Sequence, residues 1–402
     1  VAACITFAAA AAALWGSVPA TLAGIDFNAA LFEDFLGPYW NTAAELAEGR
    51  SVPANGYLYP STLAWLLAPF AAATPAGNAM VPSVLALWST VLSLVLWAAS
   101  VSALLRPASF RAAALAGVVL GLAHAPVHGV YWAQASLPAI GLLAAGVALM
   151  TTGRPKSAGV AIGLGAALKL HPAAGLVALV LPWRSGESLR AAGAALGTAL
   201  TFGVLAPVAL MGRAAFVEFH RSSLGSLAEM HRWVLTEEGG RGGQDLPAAL
   251  RRAFPMETPL PSEMIGWSSA AVLLLAAVLV LRRAPIQRPS ESTTHSLAPL
   301  IGFIALAAIP WAAISPTWPH GLLWVPAAWW CAWHHSSPIG RSLAALSFAC
   351  GSIASLRAFG TPEAYASYGL PAWSAALALA SIAPAWRGVV TKRCGAALPP
   401  KA

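Results

Sequence analysis

The sequence predicts an all-α, polytopic membrane protein with a single integral-membrane domain over residues 1–402, and three observations predict it. Of the 402 residues, 58% are hydrophobic and only 9% are charged, with a mean hydropathy of +0.68. Apolar runs of membrane-spanning length recur from end to end, which no soluble core requires. Those runs are continuous and rich in Ala and Leu, with none of the polar–apolar alternation of barrel strands, and this argues against a β-barrel.

The first run, 1–25, lacks a basic leader, so it is read as a retained helix with the chain starting within or just before it, not as a cleaved signal. Further runs occupy 61–75, 79–105, 112–130, 135–152, 157–183, 191–211, 264–281, 296–314, 321–333, 342–357 and 371–386. Pro172 lacks a backbone donor, so the 157–183 run is expected to break at Lys169-Leu170-His171-Pro172 into two short helices. The expected total is about 11 to 13 transmembrane helices.

Charge orients them. Twelve of the 15 acidic residues fall in two segments: Asp26, Glu33, Asp34, Glu45 and Glu48, and then Glu218, Glu229, Glu237, Glu238, Asp245, Glu257 and Glu263. These mark two larger extracytoplasmic loops, 26–60 and 212–263. The basic connectors at Arg154/Lys156, Arg184/Arg190, Arg282/Arg283/Arg288 and Arg341, with the tail Arg387/Lys392/Arg393/Lys401, then face the cytoplasm. The net charge of +8 sits mostly in such connectors, so nucleic acid is not an expected partner. Arg106 and Arg111 pose a conflict, because two full crossings between Pro60 and Arg106 would put them outside. Either 61–75 is too short to cross, or these arginines break the rule.

The four cysteines, Cys4, Cys331, Cys350 and Cys394, show no metal or disulfide spacing, and no metal site is expected. No phosphate loop of the GxxxxGK[ST] type and no cytoplasmic domain occur, which disfavours ATP-driven transport and cytosolic nucleotide-sugar chemistry. Chemistry, if any, belongs outside, with a donor delivered by the membrane.

Five blocks in order then carry a resemblance. They are Asp34-Phe35 with Tyr39, Ala43-Ala44, Gly49, Tyr59-Pro60 and Ala68-Pro69; Tyr131-Trp132-Ala133-Gln134, a Gly-Gln element with Ala133 for Gly; the Gly-rich stretch 158–172 ending in Lys169 and Pro172; Gln244-Asp245-Leu246 with Arg252, against Asn-Gln-Ser-Leu; and Ser315-Pro316-Thr317-Trp318-Pro319-His320, with Gly321 where Tyr is usual. The sequence resembles glycosyltransferase family 87, integral-membrane enzymes of the GT-C class that include phosphatidylinositol mannoside mannosyltransferases. The resemblance implies a hexosyltransferase of a bacterial plasma membrane with an extracytoplasmic active site. Such an enzyme moves a sugar, typically mannose, with inversion from a polyprenyl-phosphate sugar to a glycolipid or glycan acceptor. The lipid-linked donor is a co-substrate and no cofactor is implied; metal use stays open.

Inverting transfer needs a base for the acceptor hydroxyl, and one carboxylate at the membrane surface suffices. Asp34, in the matched block, is the first choice and Asp26 the alternative base. The leaving group is a lipid phosphate, so cations or polarised donors are wanted beside it. His320, Arg252 and Lys169 are the candidates, with Gln244, Tyr59 and Trp318 as further donor-phosphate or sugar contacts. Lys169 lies inside an apolar run, where an unpaired ammonium is costly and function is the default reading. His124 and His128 lie one turn apart with no carboxylate or Cys nearby in sequence, which favours core packing over a metal. The other tryptophans, of 17 in all, suit an interfacial belt, Trp329, Trp330 and Trp333 clearly so. Two other classes remain open: a transporter or flippase built on Lys169 and the Asp34 loop, although no inverted repeat is visible, and an O-antigen ligase or polymerase using the 212–263 loop.

Overall fold

The computed structural model of the chain describes residues 5, 31–51, 53, 57–107, 109–176, 186–234, 243–254, 259–282, 297–313, 317–359 and 362–391. Every regular element among them is helical. A π-turn at Phe35–Tyr39 runs into α1 (Trp40–Ala47), followed by α2 (Thr62–Ala73), α3 (Met80–Leu105), α4 (Phe110–Leu122), α5 (His124–Tyr131), α6 (Ser136–Thr151) and α7 (Pro155–Leu168). A 3-10 turn at His171–Ala173 precedes α8 (Gly186–Leu200), which passes through a π segment, Thr201–Leu205, into α9 (Ala206–Met211) and then α10 (Arg213–Val234). The remainder is α11 (Leu246–Ala253), α12 (Leu260–Leu281), α13 (Ala298–Ala313), a 3-10 turn at Pro319–Leu322, α14 (Val325–His335), α15 (Pro338–Gly351), α16 (Ile353–Ala358), α17 (Pro362–Ser367) and α18 (Leu370–Thr391).

A helix apolar on every side must be buried on every side. α13 obeys this: Ala298 through Ala308 are all buried, and α6 is nearly as enclosed. Met80–Leu105, Gly186–Met211 and Leu260–Leu281 are long and apolar enough to cross a membrane. The first of these leaves Val84, Leu87, Trp88, Leu92 and Val95 uncovered, and the second Leu196, Leu200, Leu205 and Leu210. Apolar surface of that extent suits lipid, not water.

Small residues bring α7 against α8. Gly159 and Gly163 are spaced like the small-xxx-small seams of membrane helices. A Cβ on either would run into the carbonyl oxygen of Ala191 or Ala195 across the interface. Only glycine lets the two backbones approach so closely. α8 is fixed in turn to α2 at its π segment, where the Phe202 carbonyl accepts from Thr62 Oγ1 at 3.0 Å and Trp65 Nε1 at 3.3 Å.

The break predicted at Lys169 is present, with α7 ending at Leu168 and Lys169 in extended conformation. The length of α2 bears on the conflict at Arg106. α2 has 12 residues and so reaches about 18 Å, short of the roughly 30 Å hydrocarbon core. The first run apart from residue 5, Asp26, Ser315, Pro316, Cys4 and Cys394 lie outside the described residues.

Candidate active site

Among the described carboxylates of the first loop, Asp34 stands apart from Glu33, Glu45 and Glu48. Arg50 pairs with Glu45 and Glu48 on the surface, ion pairs of little energetic weight. Asp34 instead turns inward at the start of the π-turn, half-buried, within reach of the Lys169 charge. Burial pushes its carboxyl up from 3.8 to about 7, against the opposing pull of the Lys169 ammonium and with a smaller push from Glu33.

Two backbone strains shape the floor beneath it. α5 ends in a Schellman arrangement, in which Gln134 N–H bonds to Gly129 O at 2.9 Å and Ala133 N–H to Val130 O at 3.1 Å. The residue between them must be left-handed, and Ala133 has φ +52°. Phe32, also left-handed at φ +63°, donates its N–H to Tyr131 O at 2.8 Å and ties the loop to this cap. Gln134, 4% exposed, then offers its side-chain carbonyl to Tyr39 OH at 3.4 Å and Tyr59 OH at 3.2 Å. The Tyr39 and Tyr59 rings meet edge to face, 5.1 Å apart.

Lys169 comes from the opposite side, at the extended residue that caps α7. Its ammonium donates to Ser136 Oγ at 2.7 Å and lies 4.9 Å from the centre of the Tyr59 ring. A hydroxyl, an aromatic face and the Asp34 carboxyl together hold a charge that bare hydrocarbon would not. His320, 4% exposed in its 3-10 turn, sits within electrostatic reach of Lys169. Its Nδ1 is 3.3 Å from Nδ1 of His128. Asp34, Tyr59, Lys169 and His320 are thus brought together from four separate stretches of chain.

Gln244 and Arg252 are each held by a backbone carbonyl. Gln244 donates its backbone N–H to Thr317 O at 2.7 Å and its side-chain amide to Ala366 O at 3.1 Å. Arg252 donates to Gly243 O at 2.7 Å and lies against Gly369, with Asp245 as its opposite charge. Asp245, fully buried, caps α11 through Ala248 N–H at 2.8 Å and takes Thr317 N–H at 3.1 Å. The departure from Ser to Asp at this position keeps an N-cap residue. This brace fixes Thr317, three residues before His320. Trp318, half-buried, begins the same turn, its carbonyl accepting from Gly321 N–H at 2.8 Å.

Sequence reading missed His128 and Ser136 as members of the site. His128 had the only available signal, its spacing from His124, but its partner lies 192 residues away. Among the described residues no group of three or more His, Cys, Asp or Glu side chains is placed to hold a metal ion.

A carboxyl poised near neutrality suits removal of a hydroxyl proton, and fixed positive charge beside it suits an anionic leaving group. Both groups are set among apolar helices. The chain belongs to glycosyltransferase family 87, whose model matches residues 57–310. That range contains Tyr59, Gln134, Lys169, Gln244 and Arg252. Asp34 precedes it and His320 follows it, so geometry alone joins these two to the family's segment. No curated protein and no solved structure matches the chain.

Proposed function

We propose that this membrane glycosyltransferase moves a hexose, mannose by family analogy, from a polyprenyl-phosphate donor to a hydroxyl of a glycolipid or glycan. The reaction belongs on the extracytoplasmic face of a bacterial plasma membrane, within a GT-C type frame. The observation that carries this reading is the half-buried Asp34 carboxyl within electrostatic reach of the Lys169 ammonium, which is itself held by Ser136 and the Tyr59 ring. Asp34 takes the acceptor proton as the acceptor oxygen bonds to the anomeric carbon. The bond from that carbon to the phosphate oxygen breaks, and the electron pair leaves with the lipid phosphate. Lys169 and His320 face the developing charge. One displacement without a nucleophilic carboxylate inverts the anomeric centre. Polyprenyl-phosphate lipids and membrane lipids are then the partners.

The test is donor choice. Purified full-length protein in detergent, given a glycolipid acceptor, is expected to transfer mannose from polyprenyl-phosphate mannose. Transfer from a nucleotide sugar without any lipid carrier would overturn the reading.

A further inference from the structure

Two imidazole nitrogens 3.3 Å apart constrain each other. His128 Nδ1 and His320 Nδ1 face at that distance, with ring centres 5.3 Å apart. One proton fits between two such nitrogens, so one ring donates and the other accepts. The two rings are held by packed neighbours: Gly129, next to His128, lies against Leu137 and the Cβ of His320. The hydrogen bond at one imidazole nitrogen sets what the other nitrogen can do. His320 is 4% exposed and feels the positive charge of Lys169, which favours its neutral form. A neutral His320 offers an N–H to a phosphate oxygen only from Nε2, and then its Nδ1 must accept.

We infer that His128 is a positioning residue: its Nδ1–H donates to His320 Nδ1, fixing His320 as the Nε2–H tautomer that faces the donor phosphate. This rests on the phosphate contact proposed for His320. It gives His128 a task that core packing alone would not, and it makes the Nδ1-to-Nδ1 geometry part of the donor site.

Two measurements test it. In full-length protein labelled with ¹⁵N-histidine, long-range proton–nitrogen spectra identify which ring nitrogen carries the proton, with His128→Ala and His320→Ala giving the assignments. Nε2–H on His320 and Nδ1–H on His128 are expected; Nδ1–H on His320 overturns the inference whatever the substrate. The second measurement is turnover with polyprenyl-phosphate mannose. His128→Ala is expected to lose about 10- to 100-fold, the usual cost of removing a partner that orients a site ligand. His128→Asn, whose amide nitrogen can take the place of Nδ1–H, is expected to recover most of that loss, and His128→Ala is expected to add nothing to His320→Ala. Equal impairment of the Ala and Asn variants overturns the positioning role. Full activity in His320→Ala overturns the phosphate contact proposed above and the catalytic role of His128 with it, while the spectra still report the tautomers.

Discussion

Two buried aspartates with opposite fates organise this molecule. Asp245 is fully enclosed, and both its oxygens are spent on backbone N–H groups, one at the start of α11 and one at Thr317. Asp34 is half-buried, faces an ammonium, and is lifted to about 7. Hydrogen bonds to a carboxylate stabilise its charge, whereas burial destabilises it. The first aspartate is a fastener, and the second is the one proposed above as proton acceptor. The backbone repeats the contrast: the brace meets its left-handed turn with glycine, Gly369 at φ +66° against Arg252, but the site places Ala133 and Phe32 in that region. Of the three described non-glycine residues in that region, Phe32 and Ala133 lie on the side where chemistry is proposed and Arg106 ends α3.

The largest expected effect separates the two aspartates by activity. Asp34→Asn keeps shape and removes the proton acceptor, so turnover should fall by about 10²- to 10⁴-fold with donor binding intact. In the wild type the rate should climb with pH and level off above about 7, since the base works only when deprotonated. A flat profile from about pH 5 to 8 would leave Asp34 without this role.

Asp245→Ala should move stability instead. It strips the cap from α11 and leaves two buried N–H groups without their acceptor, a loss of roughly 3 kcal/mol. Thermal unfolding of the purified protein measures it. Turnover per folded molecule should fall as well, because the Thr317 tether ends three residues from His320. If stability is unchanged, the brace is not one.

Much of this contrast could be read from the sequence, but only where the signal is local. The apolar runs gave the helices, the Pro172 break exposed Lys169, and Asp245-Leu246-Pro247 has the form of a helix start, an N-cap followed by proline. Asp34 stood out as charge beside hydrocarbon. What could not be read is pairing at long range: Ser136 with Lys169, Tyr39 with Gln134, His128 with His320 are set by how helices pack, and side-chain type and period carry no trace of it. For the same reason the sequence did not mark what holds Gln244 and Arg252. The neighbours that engage them, Ala366 and Gly243, do so through backbone carbonyls that no sequence pattern marks.

A smaller effect distinguishes a strained carboxylate from a satisfied one. Asp34 has an ordinary value of 3.8 and a folded value of about 7. Between these the folded chain keeps a proton that the unfolded chain has released. Stability therefore declines as pH rises through that window, and the deficit is complete above about 7. Asp34→Asn removes the deficit, so the variant should melt above the wild type at about pH 8 and alongside it at about pH 4. A lower Tm at the higher pH would mean that the Lys169 attraction outweighs burial.

The smallest expected effect concerns Ala133. Its left-handed backbone costs about 1–2 kcal/mol relative to an ordinary conformation, and glycine would relieve it. Glycine would also lose a methyl that is 8% exposed, worth about 0.8 kcal/mol, and add roughly 0.5–1 kcal/mol of unfolded-chain entropy. The two sides nearly cancel, so Ala133→Gly should shift stability by no more than about 1 kcal/mol in either direction, which accounts for Ala standing where the family element has Gly. Ala133→Val cannot cancel, because a β-branched side chain at φ +52° is a true outlier. Its melting temperature should drop well below that of either small residue. The pair of variants therefore isolates backbone shape from side-chain identity at the cap that presents Gln134 to Tyr39 and Tyr59. If Ala133→Gly melts like the wild type but turns over more slowly, the strained cap holds Gln134 in register with Asp34 and Lys169. If both Gly and Val variants match the wild type in Tm and rate, the left-handed residue is incidental and the contrast between site and brace rests on the aspartates alone.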